Sequence, residues 1–474
     1  MSSVSGQVPG RARKGASLAL LLFAMVVTLS AFAQVGLARD GRLPEGMVVY
    51  GIGLAVLAGA AYYVVWRFTP YADPVLLPVA VALNGIGLAM IYRLDLDLSR
   101  DKIKALAAGK KLMQDQASAP QQLQWTFVAI ALFVATILLL RDVKIFQRYM
   151  YTLGAIGLFF LALPGFLPAS ISGALGAKIW IRIGGFSIQP GEFAKILLIA
   201  FFAGYLVNKR QALSLVGKKF GIVSLPRARD LMPIMVIWLI TLGVLVLEKD
   251  LGSALLFFGL FVSMLYIATQ RASWVFIGLG LFFGGAYLAT FIPFLSHVNQ
   301  RIDIWLNPRD PAFVKSGLSD QLLKGLFSMG EGGVLGTGLG QGQPWRTPLS
   351  FSDFIITSLG EELGLTGLMV VLLLYLLIVQ RGMKTALAAR DPFLKLFAGG
   401  VSFVIALQVF VIVGGVTRLI PLTGLTTPFL SQGGSSLLAN WIIVAILIRM
   451  SHDARKPAPQ AIQDEGMTQV VMTR

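Results

Sequence analysis

Long apolar runs, separated by shorter polar connections, extend over most of the chain. Each run is long enough to cross a hydrocarbon core of about 30 Å, which takes ~20 helical residues. The pattern predicts twelve membrane-spanning helices, which begin near Ala16, Met47, Pro74, Trp125, Tyr149, Glu192, Met232, Gly252, Trp274, Phe354, Leu396 and Ser435. We therefore expect an all-α polytopic membrane protein.

The composition agrees with this class. Hydrophobic residues make up 56% of the 474 residues and charged residues 13%, whereas soluble domains carry about 25% charged residues. Because cysteine is absent and His297 and His452 lie far apart in the sequence, neither disulfides nor a His/Cys metal site is expected. The net charge of +17 is explained by topology and by attraction to anionic lipid headgroups. Nucleic acid is not an expected partner.

Basic residues predict the orientation of the helices, because Lys and Arg collect in cytoplasmic loops. The connection 208–230 holds six basic residues and one acidic residue, so it is predicted to be cytoplasmic. Counting outward from this loop places both termini in the cytoplasm. The same count places the longer connections 94–124, 169–191 and 292–353 outside.

A polar, proline-punctuated loop, LIPLTGLTTPFLSQGGSS (419–436), lies between two long apolar runs. Non-helical backbone at membrane depth must be covered by protein or face a wet cavity, because each unsatisfied peptide group costs several kcal/mol in hydrocarbon. The loop therefore marks a candidate site.

Charged residues gather near the predicted outer ends of the helices. They are Glu192, Lys195, Asp250, Asp353, Glu361, Glu362 and Arg418. Charges at membrane depth are costly and tend to be functional. A proton-coupled transporter is expected to carry such groups toward the membrane centre, but the ninth predicted helix, 274–294, has none. The arrangement suits a cavity open to the outer surface, where a lipid headgroup can sit while its tail stays in the bilayer.

Structural interpretations of these charges stay open. Glu192 with Lys195, or Lys195 with Asp250, also fits an ion pair that locks helices together. Arg418 also fits a side chain that reaches to the membrane interface. Asp353 on sequence alone fits a helix N-cap.

Three further features have a structural and a functional interpretation. The glycine-dense stretch 330–342 lacks the residues that complete a phosphate-binding loop, so it predicts a close-packed loop with positive φ angles. The acidic pair 361–362 also fits a solvated helix start. Trp180, Trp305 and Trp345 fit an outer aromatic belt, and sugar stacking stays open for them.

Four short motifs contain most of these candidate residues. They are Gly176 and Trp180 followed by Gln189-Pro190-Gly191-Glu192 and Lys195; Asp250-Leu251-Gly252; Ser352-Asp353-Phe354 followed by Glu361-Glu362-Leu363-Gly364; and Pro421-Leu422-Thr423-Gly424, Pro428-Phe429 and Ser431-Gln432-Gly433-Gly434-Ser435-Ser436. Over roughly 74–450, the chain resembles the SEDS peptidoglycan glycosyltransferases, the RodA and FtsW group. Similar segments there read Q-P-S-E-x-x-K, P-D-L-G, T-D-F-I with E-E-x-G, and a C-terminal signature, which is the most specific of the four.

The chain departs from the family pattern at several positions. Gly191 replaces the family serine, and Glu331 interrupts the usual G-S-G-G. Leu349 and Phe351 stand where glutamate and histidine or asparagine are common, which weakens any assignment of helper residues near the aspartate. Two N-terminal helices precede the ten that the family usually has, and they resemble a RodA-like rather than an FtsW-like branch.

The resemblance implies the following organisation. A cytoplasmic N-terminus (1–15) precedes two extra helices (16–73), a ten-helix SEDS-like core (74–451) with a large extracytoplasmic loop (292–353), and a cytoplasmic tail (452–474). The chain is expected in the bacterial cytoplasmic membrane as a multi-pass protein, with its active site on the extracytoplasmic side.

The resemblance also implies an activity. A peptidoglycan glycosyltransferase polymerises lipid II into glycan strands on the outer face of the membrane during cell-wall elongation, and undecaprenyl pyrophosphate leaves from the donor. A class B penicillin-binding protein is the expected partner. The alternatives are a flippase or transporter of lipid-linked precursors, and a non-catalytic scaffold for a partner synthase in division.

The chemistry limits which residues such a reaction needs. Pyrophosphate is a good leaving group, so the site does not require the second carboxylic acid of a glycosidase. Asp353 is the implied catalytic base, and a carboxylate in a partly dehydrated site gains basicity above its usual value of ~3.9. A divalent cation, Mg²⁺ or Mn²⁺, fits the diphosphate; no metal ligand is assigned and no organic cofactor is expected. The candidate substrate-binding residues are Lys195, Glu192, Asp250, Arg301, Arg418, Glu361, Ser431, Gly433, Gly434 and Ser435.

Overall fold

The chain is mostly helical, as the apolar pattern predicts. The computed structural model describes residues 10–44, 46–107, 117–174, 177–183, 186–209, 218–220, 223–225, 228–292 and 295–457. Within these ranges the helices are α1 Gly10–Asp40, α2 Met47–Phe68, α3 Leu76–Ala107, α4 Ala119–Leu139, α5 Ile145–Arg148, α6 Met150–Phe166, α7 Ala169–Ser172, α8 Pro190–Asn208, α9 Ala228–Leu247, α10 Leu251–Thr269, α11 Ser273–Ala289, α12 Ser296–Leu306, α13 Pro311–Ser316, α14 Asp320–Gly332, α15 Ile355–Ala388, α16 Pro392–Val416 and α17 Gly434–Arg455. A 3₁₀ turn spans Pro344–Arg346.

Short antiparallel hairpins supplement the helices in two connections. The described strands form three pairs: β1 Gly173–Ala174 with β2 Ala177–Lys178, β3 Ile181–Ile183 with β4 Phe186–Ile188, and β5 Lys218–Phe220 with β6 Val223–Leu225. Arg182 pairs with Ser187 in the second hairpin. Apolar periodicity does not predict hairpins this short.

Every predicted span coincides with a helix. In the described part of the chain, nine helices are long and apolar enough to cross a membrane: α1, α2, α3, α4, α8, α10, α15, α16 and α17. The shorter apolar helices Met150–Phe166, Met232–Leu247 and Ser273–Leu288 lie at the other three predicted positions. The number of crossings and the cytoplasmic position of the termini stay predictions. Much of the basic connection 208–230, residues 1–9 and the tail from 458 lie outside the described residues.

α17 is one of the most buried of the long helices. It packs against α3, α4, α8, α15 and α16, and 83% of its apolar segment is buried within the protein, whereas the figure for α2 is 22%. Small residues allow the close approach that helix packing in membranes requires. A Cβ atom on Gly87 of α3 would lie 2.7 Å from the backbone of Leu430, and one on Gly434 would lie 2.4 Å from the Trp125 ring. The loop before α17 is thus enclosed by neighbouring helices.

The tenth predicted span is broken. α15 contains a non-helical residue, Gly364, with φ 67° and ψ −173°. Its 34 residues would measure about 51 Å as one straight helix, which exceeds a core of about 30 Å. The residues before Gly364 form a short buried segment beside the long connection between α11 and α15, and 365–388 is the part long enough to cross.

The glycine-dense stretch fills this break. Thr337 and Gly338 donate backbone N–H groups to the carbonyls of Glu361 and Glu362, both at 2.9 Å. Gly336 has φ +84°, and a Cβ atom there would lie 2.3 Å from the Glu362 carbonyl oxygen. The predicted close-packed loop with positive φ angles is therefore confirmed. Its N–H groups donate to carbonyl groups beside the break in the helix, which would otherwise lack a partner.

Candidate active site

The loop 419–436 is bonded to the segment that carries Asp353. The Ser431 hydroxyl donates to the Ser352 carbonyl at 2.6 Å, and the Gln432 N–H donates to the Phe351 carbonyl at 2.8 Å. Ser431 also accepts from the Thr427 N–H at 2.8 Å. This irregular backbone is covered by protein, as its position at membrane depth requires.

Asp353 is a buried carboxylate, with 8% of its surface exposed. Phe354 occupies the N-cap position of α15, and no side chain caps the helix there, so the helix-cap interpretation of Asp353 is wrong. Gln321 of α14 donates to both carboxylate oxygens at 3.4 Å. Burial raises the pKa of Asp353 to about 7, against smaller lowering effects of nearby N–H groups and of Arg301.

Arg301 lies between two acidic side chains. Its guanidinium donates to the carbonyls of Leu422 and Thr423 at 2.9 and 3.1 Å. Burial lowers the pKa of Arg301, while the charges of Asp250 and Asp353 act in the opposite direction. The residue thus carries positive charge into the space beside Asp353 while it fixes the loop 419–436.

Asp250 begins α10 as its N-cap. Its side chain accepts from the Ser253 N–H at 3.0 Å. Burial raises the pKa of Asp250, and Arg301 opposes this effect. Next to it, burial and the charge of Asp250 raise the pKa of Glu248 to about 8. The Gly165 N–H donates to the Glu248 carboxylate at 3.0 Å.

Lys195 pairs with Glu192, at 2.6 Å between Nζ and Oε2. No ion pair between Lys195 and Asp250 occurs among the described residues, so that alternative is wrong and the other is confirmed. Lys195 also donates to Gln408 Oε1 at 3.1 Å, and Gln408 donates to the Thr426 carbonyl at 3.0 Å. The pair therefore ties α8 to α16 and to the loop 419–436. A substrate contact of Lys195 or Glu192 stays a prediction.

The other signature residues contact protein groups. Ser435 accepts from the Gln189 N–H at 2.8 Å, which joins the loop 419–436 to the start of α8. Gly433 is the N-cap of α17, and Gly434 packs against Trp125. Their predicted substrate contacts are untested. Gly176, from the same motif as Gln189, lies outside the described residues.

Arg418 holds the end of α12. It donates to the carbonyls of Trp305 and Leu306 at 2.8 and 2.7 Å, and Trp305 Nε1 donates to the Arg418 carbonyl at 3.1 Å. Arg418 also lines a cavity of about 580 Å³ together with Leu306, Asn307, Pro308, Arg309, Asp310, Leu323, Leu326 and Phe327. The side chain thus anchors the connection between α11 and α15 rather than only reaching to an interface.

Glu361 and Glu362 face different neighbours. Glu361 accepts from the Ser328 hydroxyl and the Gln343 N–H, and it lines a second cavity of about 630 Å³. Glu362 pairs with Arg93 at 2.8 Å. Both side chains are buried, so the interpretation of this acidic pair as a solvated helix start is wrong.

Gln321, Gln408 and Arg93 were missed by sequence reasoning. All three lie outside the four motifs, and an isolated glutamine or arginine carries no local signal of its distant partner. In the described part of the chain, no three His, Asp or Glu side chains form a group that could hold a metal ion.

Comparisons with known proteins agree on one family. The cell cycle protein model FtsW/RodA/SpoVE matches residues 74–456. The peptidoglycan glycosyltransferase RodA of Mycobacterium tuberculosis is 49% identical over 446 residues, covering 94% of this chain and 92% of the relative. The probable peptidoglycan glycosyltransferase FtsW of Geobacter metallireducens is 32% identical, covering 80% of this chain and 94% of the relative.

Solved structures share the fold. A chain from a peptidoglycan synthase complex that coordinates polymerization and crosslinking matches with a TM-score of 0.59 at 23% identity, covering 81% of this chain and 99% of that chain. The crystal structure of the Thermus thermophilus rod shape determining protein RodA matches with a TM-score of 0.54 at 23% identity, covering 82% and 98%.

Proposed function

This chain belongs to the FtsW/RodA/SpoVE family of cell cycle proteins, and from that premise we propose that it is a peptidoglycan glycosyltransferase of the RodA type. RodA relatives match 94% of the chain, whereas FtsW relatives match about 80%. The alignment with RodA proteins therefore extends into the N-terminal region that contains α1 and α2. We assign the activity to cell-wall elongation on this basis.

The buried carboxylate of Asp353 is the observation that carries the proposal. An acceptor sugar hydroxyl attacks the anomeric carbon of the donor, and Asp353 takes the hydroxyl proton. The new glycosidic C–O bond forms while the bond from the anomeric carbon to the diphosphate oxygen breaks, and the prenyl diphosphate departs with that electron pair. A general base works best when its pKa lies near the working pH, and burial brings the pKa of Asp353 to about 7.

Arg301 is the residue best placed to meet the diphosphate. A guanidinium remains charged and matches phosphate oxygens in geometry. Lys195 is neutralised by Glu192 and only 2% exposed, so it is a weaker candidate. A divalent cation, when bound, would supply further positive charge to the departing diphosphate. Asp250 is the carboxylate available to it if Asp353 acts as the base, and Mg²⁺ usually combines one or two carboxylates with substrate phosphates and water.

We place this site on the extracytoplasmic side of the bacterial cytoplasmic membrane. Asp353, Asp250 and Glu192 all lie at the starts of helices, at the same end of the bundle as the loop 419–436. Basic residues such as Arg381 and Arg390 lie at the other end of α15, as expected for a cytoplasmic surface.

The proposed substrate is lipid II, with undecaprenyl pyrophosphate as the leaving product. The proposed partner is a class B penicillin-binding protein that crosslinks the strands. A structural neighbour from a peptidoglycan synthase complex supports such a partnership.

The test is Asp353→Asn in purified protein supplied with lipid II. The variant is expected to bind the lipid and to make no polymer, because the amide cannot accept the proton. Asp303→Asn, an exposed change on α12, serves as the matched control and should polymerise normally. Wild-type polymer yield from Asp353→Asn would overturn the enzyme assignment in favour of a flippase or a scaffold.

A further inference from the structure

We propose that the second cavity binds saccharide units of the glycan strand as it lengthens. We call it the Trp345 pocket and define it by Ser328, Thr337, Gln341, Gln343, Trp345 and Glu361. This inference rests on the proposed function and adds to it a binding site away from the reacting carboxylate.

The side chains of the Trp345 pocket suit a carbohydrate. Hydroxyl, amide and carboxylate groups surround one indole in a cavity of about 630 Å³. A sugar ring presents an apolar C–H face together with several hydroxyls, and an indole combined with such polar groups complements both. The wall also carries the ring of Phe327 and the basic side chains of Lys324 and Arg346.

Trp345 is held from one side by two arginines. Arg39 of α1 and Arg93 of α3 lie over the ring, 5.5 and 6.0 Å from its centroid. Both guanidinium groups pair with the carboxylate of Asp97, so they approach the indole from the same side. The ring is half-buried and also lines the cavity.

Hydrogen bonds and ion pairs hold the walls of the Trp345 pocket in place. Arg93 is fully buried and donates to Glu362 Oε1 and to the Gly342 carbonyl, both at 2.8 Å. Glu361, 4% exposed, is oriented by the Ser328 hydroxyl and the Gln343 N–H. A carboxylate has more lone pairs than these two bonds use, so it can accept a further bond from a sugar hydroxyl or N-acetyl N–H. The pocket is therefore preorganised rather than formed by a loose loop.

The pocket lies beside the same helix, α14, that contacts Asp353. Gln321, which contacts Asp353, and Ser328 lie on the same helix, α14, roughly 10 Å apart at 1.5 Å per residue. Thr347, another wall residue, precedes the short segment that leads to Asp353. A strand attached at the reacting centre can thus extend along α14 into the pocket, which would retain the product between additions.

The experiment compares Trp345→Ala, Trp345→Phe and Arg309→Ala, the last from the Arg418 cavity. The first readout is product length with purified protein and lipid II. The second is the binding of a soluble, prenyl-free oligosaccharide of alternating N-acetylglucosamine and N-acetylmuramic acid. Trp345→Ala should shorten the product and weaken oligosaccharide binding by about tenfold, the effect of losing one aromatic stack. Trp345→Phe should largely restore both properties, and Arg309→Ala should match the wild type.

The experiment distinguishes a failure of the Trp345 pocket from a failure of the glycosyltransferase assignment. Unchanged product length and unchanged oligosaccharide affinity in Trp345→Ala, with normal polymerisation by the wild type, would overturn the pocket alone. A wild-type protein that binds the oligosaccharide through Trp345 but makes no polymer would overturn the glycosyltransferase assignment instead. Trp345→Phe could also lose normal product length and oligosaccharide binding while its thermal stability is unchanged. That result would show that the indole does not act by stacking, and it would overturn the pocket as well.

Discussion

The Ser431 hydroxyl donates a 2.6 Å hydrogen bond to the carbonyl of Ser352, the residue immediately before Asp353. The two serines are separated by 79 residues in the chain. This bond makes the loop 419–436 a support of the segment that carries Asp353, which explains how a polar loop between two apolar helices contributes to the site.

Ser431→Ala should lower the catalytic rate more than it raises KM. The change removes the donor to Ser352 and leaves the buried Thr427 N–H without its acceptor, which costs about 1–3 kcal/mol. The measurement is kcat and KM for lipid II, together with thermal unfolding in detergent. Ser30→Ala, an exposed serine on α1, is the control. An unchanged kcat in Ser431→Ala would contradict the supporting role.

The rate should rise with pH and level off above neutrality. Only the deprotonated Asp353 can accept a proton, and its pKa is about 7, so at pH 6 the rate should be roughly a tenth of the plateau. A pH–rate profile of kcat/KM checks this. A profile that is flat from pH 5 to 8 would exclude Asp353 as the titrating base.

Stability should show the opposite dependence on pH. The pKa of Asp353 is raised on folding from 3.8 to about 7, so the folded protein binds the proton more tightly than the unfolded chain. The stabilising contribution is full below the unfolded pKa and is lost as pH rises through 7. Asp353→Asn should therefore raise the Tm relative to wild type more at pH 8 than at pH 5. An equal difference at both pH values would contradict the predicted burial cost.

Arg301→Ala should move the pH–rate profile as well as reduce the rate. Its positive charge lowers the pKa of Asp353, so its removal should shift the midpoint upward. Loss of a group that stabilises developing charge typically costs about a hundredfold in kcat. Arg301→Lys should keep the midpoint near that of wild type because it retains the charge. A merely structural arginine would reduce yield without moving the midpoint.

Glu192→Gln should destabilise the protein, because it leaves the buried Lys195 charge uncompensated. Breaking a buried pair in this way costs about 3–5 kcal/mol. The double variant Glu192→Gln with Lys195→Met should recover both Tm and polymer yield if the pair is purely structural. Recovery of Tm without recovery of polymer would instead assign Lys195 to substrate binding.

Arg39→Gln should loosen the contact of α1 with the segment that carries Trp345. Arg39 pairs with Asp97 and covers one face of Trp345, so its loss should increase hydrogen exchange in 337–345 and lower the Tm. Lys144→Gln, which breaks an exposed pair with Asp391, is the control, since such pairs contribute about 0–1 kcal/mol. Equal exchange in both variants would show that α1 does not hold this loop.

Sequence patterns were sufficient for the class of protein and for the positions of its long apolar helices. An apolar run long enough to cross a membrane is a local property, and every predicted span coincides with a helix. The break at Gly364 was not predicted, because a glycine within an apolar helix carries no sign of the loop that packs against it. The motifs also directed attention to Asp353, but they did so through resemblance, since on its own an aspartate before a helix fits a cap equally well.

The tertiary structure decided which side chains contact one another across the chain. Lys195 had two acidic candidates. Its partner is Glu192, three residues earlier on the same helix, and the packing of the helices does not bring Asp250 into an ion pair with it. Gln321 reaches Asp353 across 32 positions of the chain, and Arg93 reaches Glu362 across 269. Hydrophobicity determines which segments enter a membrane because it depends on each segment alone. Which side chains meet depends on how the helices pack against one another, and that is a property of the whole fold.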